Sequence, residues 1–337
     1  MKKLVTLLSL TALAFSGCET IVDVDTPPHT PRLALNYTLS NQLPNAYNQE
    51  FFANRALFVS TSQSVLEVKE LTGRGNATVE VLDESGQVVE RFRSKPKRTY
   101  NNYGQVDSLY GDYVPTRGLV GEPGHTYTLR ASAPGLETVE STLTLPFPTV
   151  IETGSYSEQQ VTQNGSTFKI GRLTCSILDN AATTDYYMAY ARVLDRNGNF
   201  CGTVQRDNNR NNGGGPDVNL GLFQLSNTNS NYDQYPFSDV GGNGQRLTLS
   251  TDVSFFVRSY PVDPTNPRSP YITPEPGYIE IVVSSITADT YRFYQSRNRY
   301  NDTDGNPFAE PAPLFSNVRP GYGIFGGATD VTYRIPL

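Results

Sequence analysis

Three cysteines, two histidines and a scatter of acidic side chains make up most of the reactive material in this 337-residue chain. A His-based triad or a His-rich zinc site needs imidazoles set beside a nucleophile or further ligands. His29 falls in an acidic, proline-bearing stretch and His125 in a Pro-Gly turn, so both read as solvated residues. Cys175 and Cys201 lack the CxxC spacing of redox catalysts. Outside the cytoplasm they can pair as a disulfide or stand as two buried thiols, and spacing leaves both open. Asn301-Asp302-Thr303-Asp304-Gly305-Asn306 alternates oxygen ligands before a glycine, as calcium loops do, yet no bidentate Glu follows at the matching distance. It reads as a turn after a helix. Asp233, Asp239, Asp252 and Glu280 are candidates for the paired carboxylates of glycoside cleavage, but no spacing singles out a pair. Gly321 to Gly326 fits GxGxxG as a string, without the helix and βαβ context of a dinucleotide loop. Tyr186, Tyr187, Tyr190, Tyr232 and Tyr235 could stack on sugars, although strand tyrosines more often pack with the hydroxyl at the rim. The expectation is a chain with no catalytic residues, no metal and no cofactor.

The remaining cysteine has a more specific setting. Lys2 and Lys3 open the chain, Leu4 to Phe15 form an apolar run, and Ser16-Gly17 are small residues directly before Cys18. A basic start, a short apolar run and a small-residue cut site make a secretory signal over residues 1–17. The run is shorter than the roughly 20 apolar residues that span a bilayer. Ser16-Gly17-Cys18 resembles the lipobox of bacterial lipoproteins, with Phe15 where that pattern usually has Leu. The resemblance implies that the Cys18 thiol is alkylated by a diacylglycerol, the signal removed and the new amine acylated. Each buried acyl CH₂ contributes about 0.8 kcal/mol, so several chains hold a membrane where one does not.

Charge narrows the partners. The chain has 27 basic and 33 acidic residues, a net charge of -6, and loss of Lys2 and Lys3 makes it more negative. A diffuse acidic balance is wrong for nucleic acid, which needs a basic patch. Tyr (21), Phe (16), Gly (28) and Pro (23) are plentiful and Trp is absent. That balance favours short strands joined by tight turns.

The elements follow from period and punctuation. Residues 18–30 form an acidic tether. Residues 31–147 read as an immunoglobulin- or transthyretin-like β-sandwich. Leu33, Leu35, Tyr37 and Leu39 alternate along a half-buried strand. Residues 77–82 and 87–92 flank the turn Asp83-Glu84-Ser85-Gly86, and the stretch from Arg93 to Gly111 is a long excursion. Residues 148–337 read as a second β-rich domain, with strands expected over 168–178, 186–194, 200–205, 246–257, 278–286 and 331–335. Residues 206–219 and 227–235 are polar insertions, and Pro261 to Pro276 carries too many prolines for a central strand. One short helix is expected near the C-terminus, capped by Thr287, with Asp289 in its first turn and Tyr291 and Tyr294 on one face. The fold class is therefore mainly β, with two sandwich-like domains and one helix.

Near the C-terminus, Tyr291-Arg292-Phe293-Tyr294, then Gly305-Asn306-Pro307-Phe308-Ala309-Glu310-Pro311, then Ser316-Asn317-Val318, then Gly321-Tyr322-Gly323-Ile324-Phe325-Gly326-Gly327 occur in order. This resembles the closing signature of the Bacteroidota lipoprotein family called domain of unknown function 4249. The start is similar too: a lipobox cysteine, Glu19, a short tether and a strand at Pro31 to Leu35. The resemblance implies an outer-membrane lipoprotein, displayed on the cell surface and often encoded beside a TonB-dependent transporter, with no established activity. It leaves a carbohydrate- or matrix-binding adhesin as the alternative, and a hydrolase as a third reading. The signature residues Pro307, Phe308, Pro311, Ser316, Asn317, Gly321, Gly323, Phe325 and Gly326 read as structural, because apolar residues bracketed by Gly and Pro usually serve packing.

Overall fold

The computed structural model describes residues 28–44, 52–64, 73–100, 106–163, 166–206, 225–226, 234–263, 266, 268–303 and 313–337. The chain forms two units, Met1–Thr30 with Gln63–Lys69 and Pro31–Ser62 with Glu70–Leu337. Every strand and the helix described below belong to the second.

The first half of that unit contains β1 (Leu33–Ser40), β2 (Leu57–Thr61), β3 (Thr78–Leu82), β4 (Val88–Ser94), β5 (Lys97–Tyr100), β6 (Val106–Leu109), β7 (Asp112–Pro115), β8 (Thr126–Ser132) and β9 (Val139–Thr144). The second half contains β10 (Val150–Gln163), β11 (Ser166–Leu178), β12 (Tyr186–Asp195), β13 (Phe200–Arg206), β14 (Phe237–Ser238), β15 (Arg246–Val257), β16 (Tyr260–Pro261), β17 (Tyr271–Ile272) and β18 (Pro276–Ile286). Helix α1 (Ala288–Thr303) and β19 (Tyr322–Pro336) complete it. Fifteen strands join in one open sheet, ordered β10-β11-β15-β13-β12-β18-β19-β1-β2-β7-β4-β3-β8-β9, with β14 on β12. β5 pairs with β6, and β16 with β17, as separate ribbons.

Alternation decides which faces are buried. Along β9, Val139, Ser141 and Leu143 point inward while Glu140, Thr142 and Thr144 face out, the period-2 signature of a half-buried strand. The β3–β4 hairpin turns where the sequence predicts. The Asp83 carboxylate accepts hydrogen bonds from the Ser85 and Gln87 amides, each at 2.9 Å. Leu33, Leu35 and Leu39 of β1 meet Val79, Val81, Leu129, Val139 and Phe325 in one core. A second core gathers Leu173, Ile177, Ala189, Val193, Leu249, Ile281 and Val283. Each fully buried Leu or Phe among these contributes about 2 kcal/mol. The division expected after residue 147 is therefore a division between cores and not between folded units, because β19 takes part in both.

The reason lies in the register of β19. Its first half runs parallel to β1, pairing Thr38 with Gly326 and Ser40 with Ala328. Its second half runs antiparallel to β18, pairing Ile286 with Ala328 and Tyr278 with Pro336. The strand begins well before the expected 331, since Gly323, Gly326 and Gly327 of the signature are strand residues here. Gly323 has φ 103°, and a Cβ there would lie 1.8 Å from the Leu35 carbonyl oxygen. A Cβ on Gly326 would lie 2.7 Å from the Thr290 hydroxyl. These glycines let β1 and α1 approach the strand closely. β10, which alternation did not reveal, pairs with β11 along nearly its whole length.

Helix α1 starts where expected. Thr287 Oγ1 accepts a hydrogen bond from the Thr290 amide at 3.3 Å, and its carbonyl accepts from Tyr291 at 3.0 Å. Tyr294 sits with Met188, Tyr190, Val282, Ile286 and Ala328 in a third core beneath the helix. β18 is thus buried on both faces over 279–286.

Candidate functional site

Two turns and one linker build a cleft in this scaffold. The linker from β9 to β10 supplies Leu145, Pro146, Phe147, Pro148, Thr149 and Val150. Three hydrogen bonds pin the linker: Thr149 N–H to Ser285 Oγ at 3.1 Å, Thr149 hydroxyl to the Leu178 carbonyl at 2.9 Å, and Thr329 hydroxyl to the Pro146 carbonyl at 2.6 Å. The opposite wall is the β11–β12 connection, from Leu178 to Asp185, with Tyr187 behind it. The cavity measures about 590 Å³, inside the range of small-molecule sites. Its mouth is apolar, with Phe147, Val150 and Leu178 left 73%, 58% and 47% exposed.

Its floor is acidic. Oxygens of Asp179, Asp185 and Asp239 lie within 4.8 Å of one another, and Asp179 and Asp239 are buried. Asp179 accepts from the Tyr187 hydroxyl at 2.6 Å and from the Gly244 amide at 2.7 Å. Asp239 accepts from the Asp185 amide at 2.8 Å, and Asp185 from the Thr183 hydroxyl at 2.8 Å. Two turns bring them together: Asn180 closes one through Ala182 and Thr183, and Asp239 opens the other through Gly242. Among the described residues, no Lys or Arg forms an ion pair with any of the three. Burial, with Asp179 and Asp239 nearby, lifts the Asp185 carboxyl above the usual carboxylate range. Burial and the bond to Asp179 push the Tyr187 phenol up as well. Such a floor attracts a proton or a cation.

Of the residues singled out in the sequence, Asp239 joins the acidic floor and Tyr187 lines the cleft, and the others lie elsewhere. Cys18, Pro307, Phe308, Pro311, Asp233, Tyr232 and positions 304–306 fall outside the described residues. Asn301 to Thr303 are the last helical residues. Cys175 and Cys201 are both buried and free, so the second of their two alternatives holds. Cys175 stands opposite Leu249 of β15, whereas the Cys201 carbonyl bonds the Arg258 amide. That separation is roughly 30 Å of extended strand, against about 7 Å at most between bridged Cα atoms. His125 is exposed beside Glu84 and Glu122. Asp252 pairs with Arg172, and Glu280 lies between Arg192 and Arg334. Tyr187 and Tyr190 are buried in the cores, so neither offers a face to a sugar.

The signature residues close the sheet. Asn317 mimics a paired strand residue, accepting from the Phe325 amide at 2.9 Å and donating to the Phe325 carbonyl at 2.9 Å. It also donates to Asp289 at 3.2 Å in the first turn of α1. Ser316 Oγ accepts from the Val318 amide at 3.3 Å. Gly321, Gly323, Phe325 and Gly326 line the β1–β19 junction, Gly321 with space for no Cβ beneath the Leu33 carbonyl. Sequence reasoning missed Asp179 and Asp185, whose only signal is an Asp at each end of a short polar turn between two strands. No curated protein and no solved structure matches the chain. A family profile described as "Domain of unknown function (DUF4249)" matches residues 19–334. With nearly the whole chain covered, from the residue after Cys18 into the last residues of β19, this protein belongs to the DUF4249 family.

Proposed function

We propose that this chain is a non-catalytic lipoprotein, held by acyl chains on Cys18 in the outer membrane and displayed at the cell surface. There it assists a TonB-dependent transporter in nutrient uptake, holding a small ligand in the cleft between the β9–β10 linker and the β11–β12 connection. The observation that carries this reading is Ser16-Gly17-Cys18 directly after a basic start and an apolar run. The 590 Å³ cleft supports it, since capture needs a concave site.

Two experiments test the reading. A Cys18→Ser chain, expressed in a host that processes lipoproteins, is expected to be soluble or uncleaved. Membrane retention at mature size would overturn the anchoring. A tagged chain solubilised in detergent is expected to copurify a TonB-dependent transporter, and repeated recovery of the lipoprotein alone would sink the uptake role.

A further inference from the structure

The cleft joins an apolar mouth to an acidic floor. Phe147, Val150 and Leu178 are large apolar side chains left mostly exposed, yet they converge on one mouth. Below them, Asp179 and Asp185 line the cavity, with Asp239 behind. We propose that this cleft binds a small organic cation, a protonated amine carrying an apolar or aromatic group. The ammonium would sit against Asp185 and Asp179, with Asp239 adding its charge from behind, and the apolar group against Phe147, Val150 and Leu178. The class of ligand rests on the capture role proposed above.

Size, charge and reach favour that occupant. Three oxygens within 4.8 Å of one another surround a point about 2.8 Å from each when the triangle is widest, a normal N–H···O distance. An ammonium has three donors and no acceptor, so it can donate to the carboxylates that line the cleft, Asp179 and Asp185, without leaving an acceptor of its own unpaired. Asp179 already accepts through both oxygens, from Tyr187 and Gly244. A divalent ion would need oxygens at about 2.0–2.6 Å in a fuller shell, and the rest of the lining is hydroxyl, amide and apolar. The apolar mouth adds nothing to a bare metal ion, but it buries a hydrocarbon attached to an amine. Thr149, whose amide and hydroxyl both hold the wall, and Thr183, on Asp185, keep the walls in place before a ligand arrives.

The test is calorimetric titration of the detergent-solubilised full chain with three probes: 2-phenylethylammonium, its neutral counterpart 2-phenylethanol, and calcium chloride. Saturable binding of the ammonium with no binding of the alcohol is expected. Asp185→Asn should weaken it roughly tenfold or more. Should that variant fail to fold, Phe147→Ser, at an exposed position, should weaken the ammonium while leaving the fold intact. Equal binding of alcohol and ammonium, binding of calcium that the ammonium does not displace, or no heat from any probe would overturn the proposal. The transporter copurification is a separate readout. Asp185→Asn should still recover the transporter, whereas ammonium binding without transporter recovery would defeat the uptake role and leave the cleft assignment standing.

Discussion

Arg55 and Asp330 meet 275 positions apart in sequence, with side chains 7% and 0% exposed. The guanidinium donates to both carboxylate oxygens, at 2.6 and 2.9 Å, and also to Ser40 at 3.1 Å and Ser284 at 3.0 Å. A buried pair of this kind adds little over an apolar substitute, but losing one partner strands the other charge. Asp330→Asn should therefore cost about 3–5 kcal/mol in denaturant unfolding, and a loss under 1 kcal/mol would show that the pair is not desolvated. Glu90 is the second residue of this sort. Burial works to raise its carboxyl, but the amides of Arg117, Leu119, Thr116 and Arg91 outweigh burial and hold it below the usual carboxylate range. The folded state thus binds this proton less readily than the unfolded chain. The stabilisation is complete above the unfolded value of about 4.3 and is lost as pH falls through the lower folded value. Urea midpoints measured from pH 6 to pH 3 should fall less steeply for Glu90→Gln, from a lower start. Neither residue announced itself in the sequence, because a single Arg or Glu carries no local signal for a remote partner.

Among the elements, β19 carries the most strain-sensitive contacts. Gly323→Ala forces a Cβ into the Leu35 carbonyl at a positive φ, so it should cost several kcal/mol, beyond the ordinary ~1 kcal/mol glycine scale. Unchanged thermal unfolding of that variant would mean that β1 and β19 are less closely joined than the register indicates. Thr287→Ala removes the α1 cap and should cost about 1 kcal/mol. The helix was legible because cap, first-turn acid and aromatic face all act within a few residues. The strands over 186–195 and 246–257 were legible because apolar runs between turns have one good solution. β10 was not, because its Ser, Glu and Gln residues on an outer strand carry little apolar period. The start of β19 was hidden for the opposite reason. Its glycines are used for close approach, and glycine in a sequence reads first as a break.

At the scale of the molecule, two cores share one long strand, so they should not melt apart. One cooperative transition is expected in calorimetry, and two well-separated transitions would restore an independent domain boundary near 147. Burial lifts the Cys175 thiol to about 12 and the Cys201 thiol, with Asp195 nearby, to about 11. Thiolate is the reactive form, so both should resist alkylation until the fold opens. Migration of the chain should also be the same with and without reductant.

The sequence alone determined the mainly-β class, the helix near the C-terminus and its cap, and the family signature. Each of these is written in neighbouring residues, by alternation, capping chemistry or a short motif. Tertiary structure decided that the cores form one unit, that the cysteines stand apart, and that Asp179, Asp185 and Asp239 share a floor beneath an apolar mouth. Those outcomes depend on strand order and register, which bring together side chains too far apart along the chain for any local pattern to couple them.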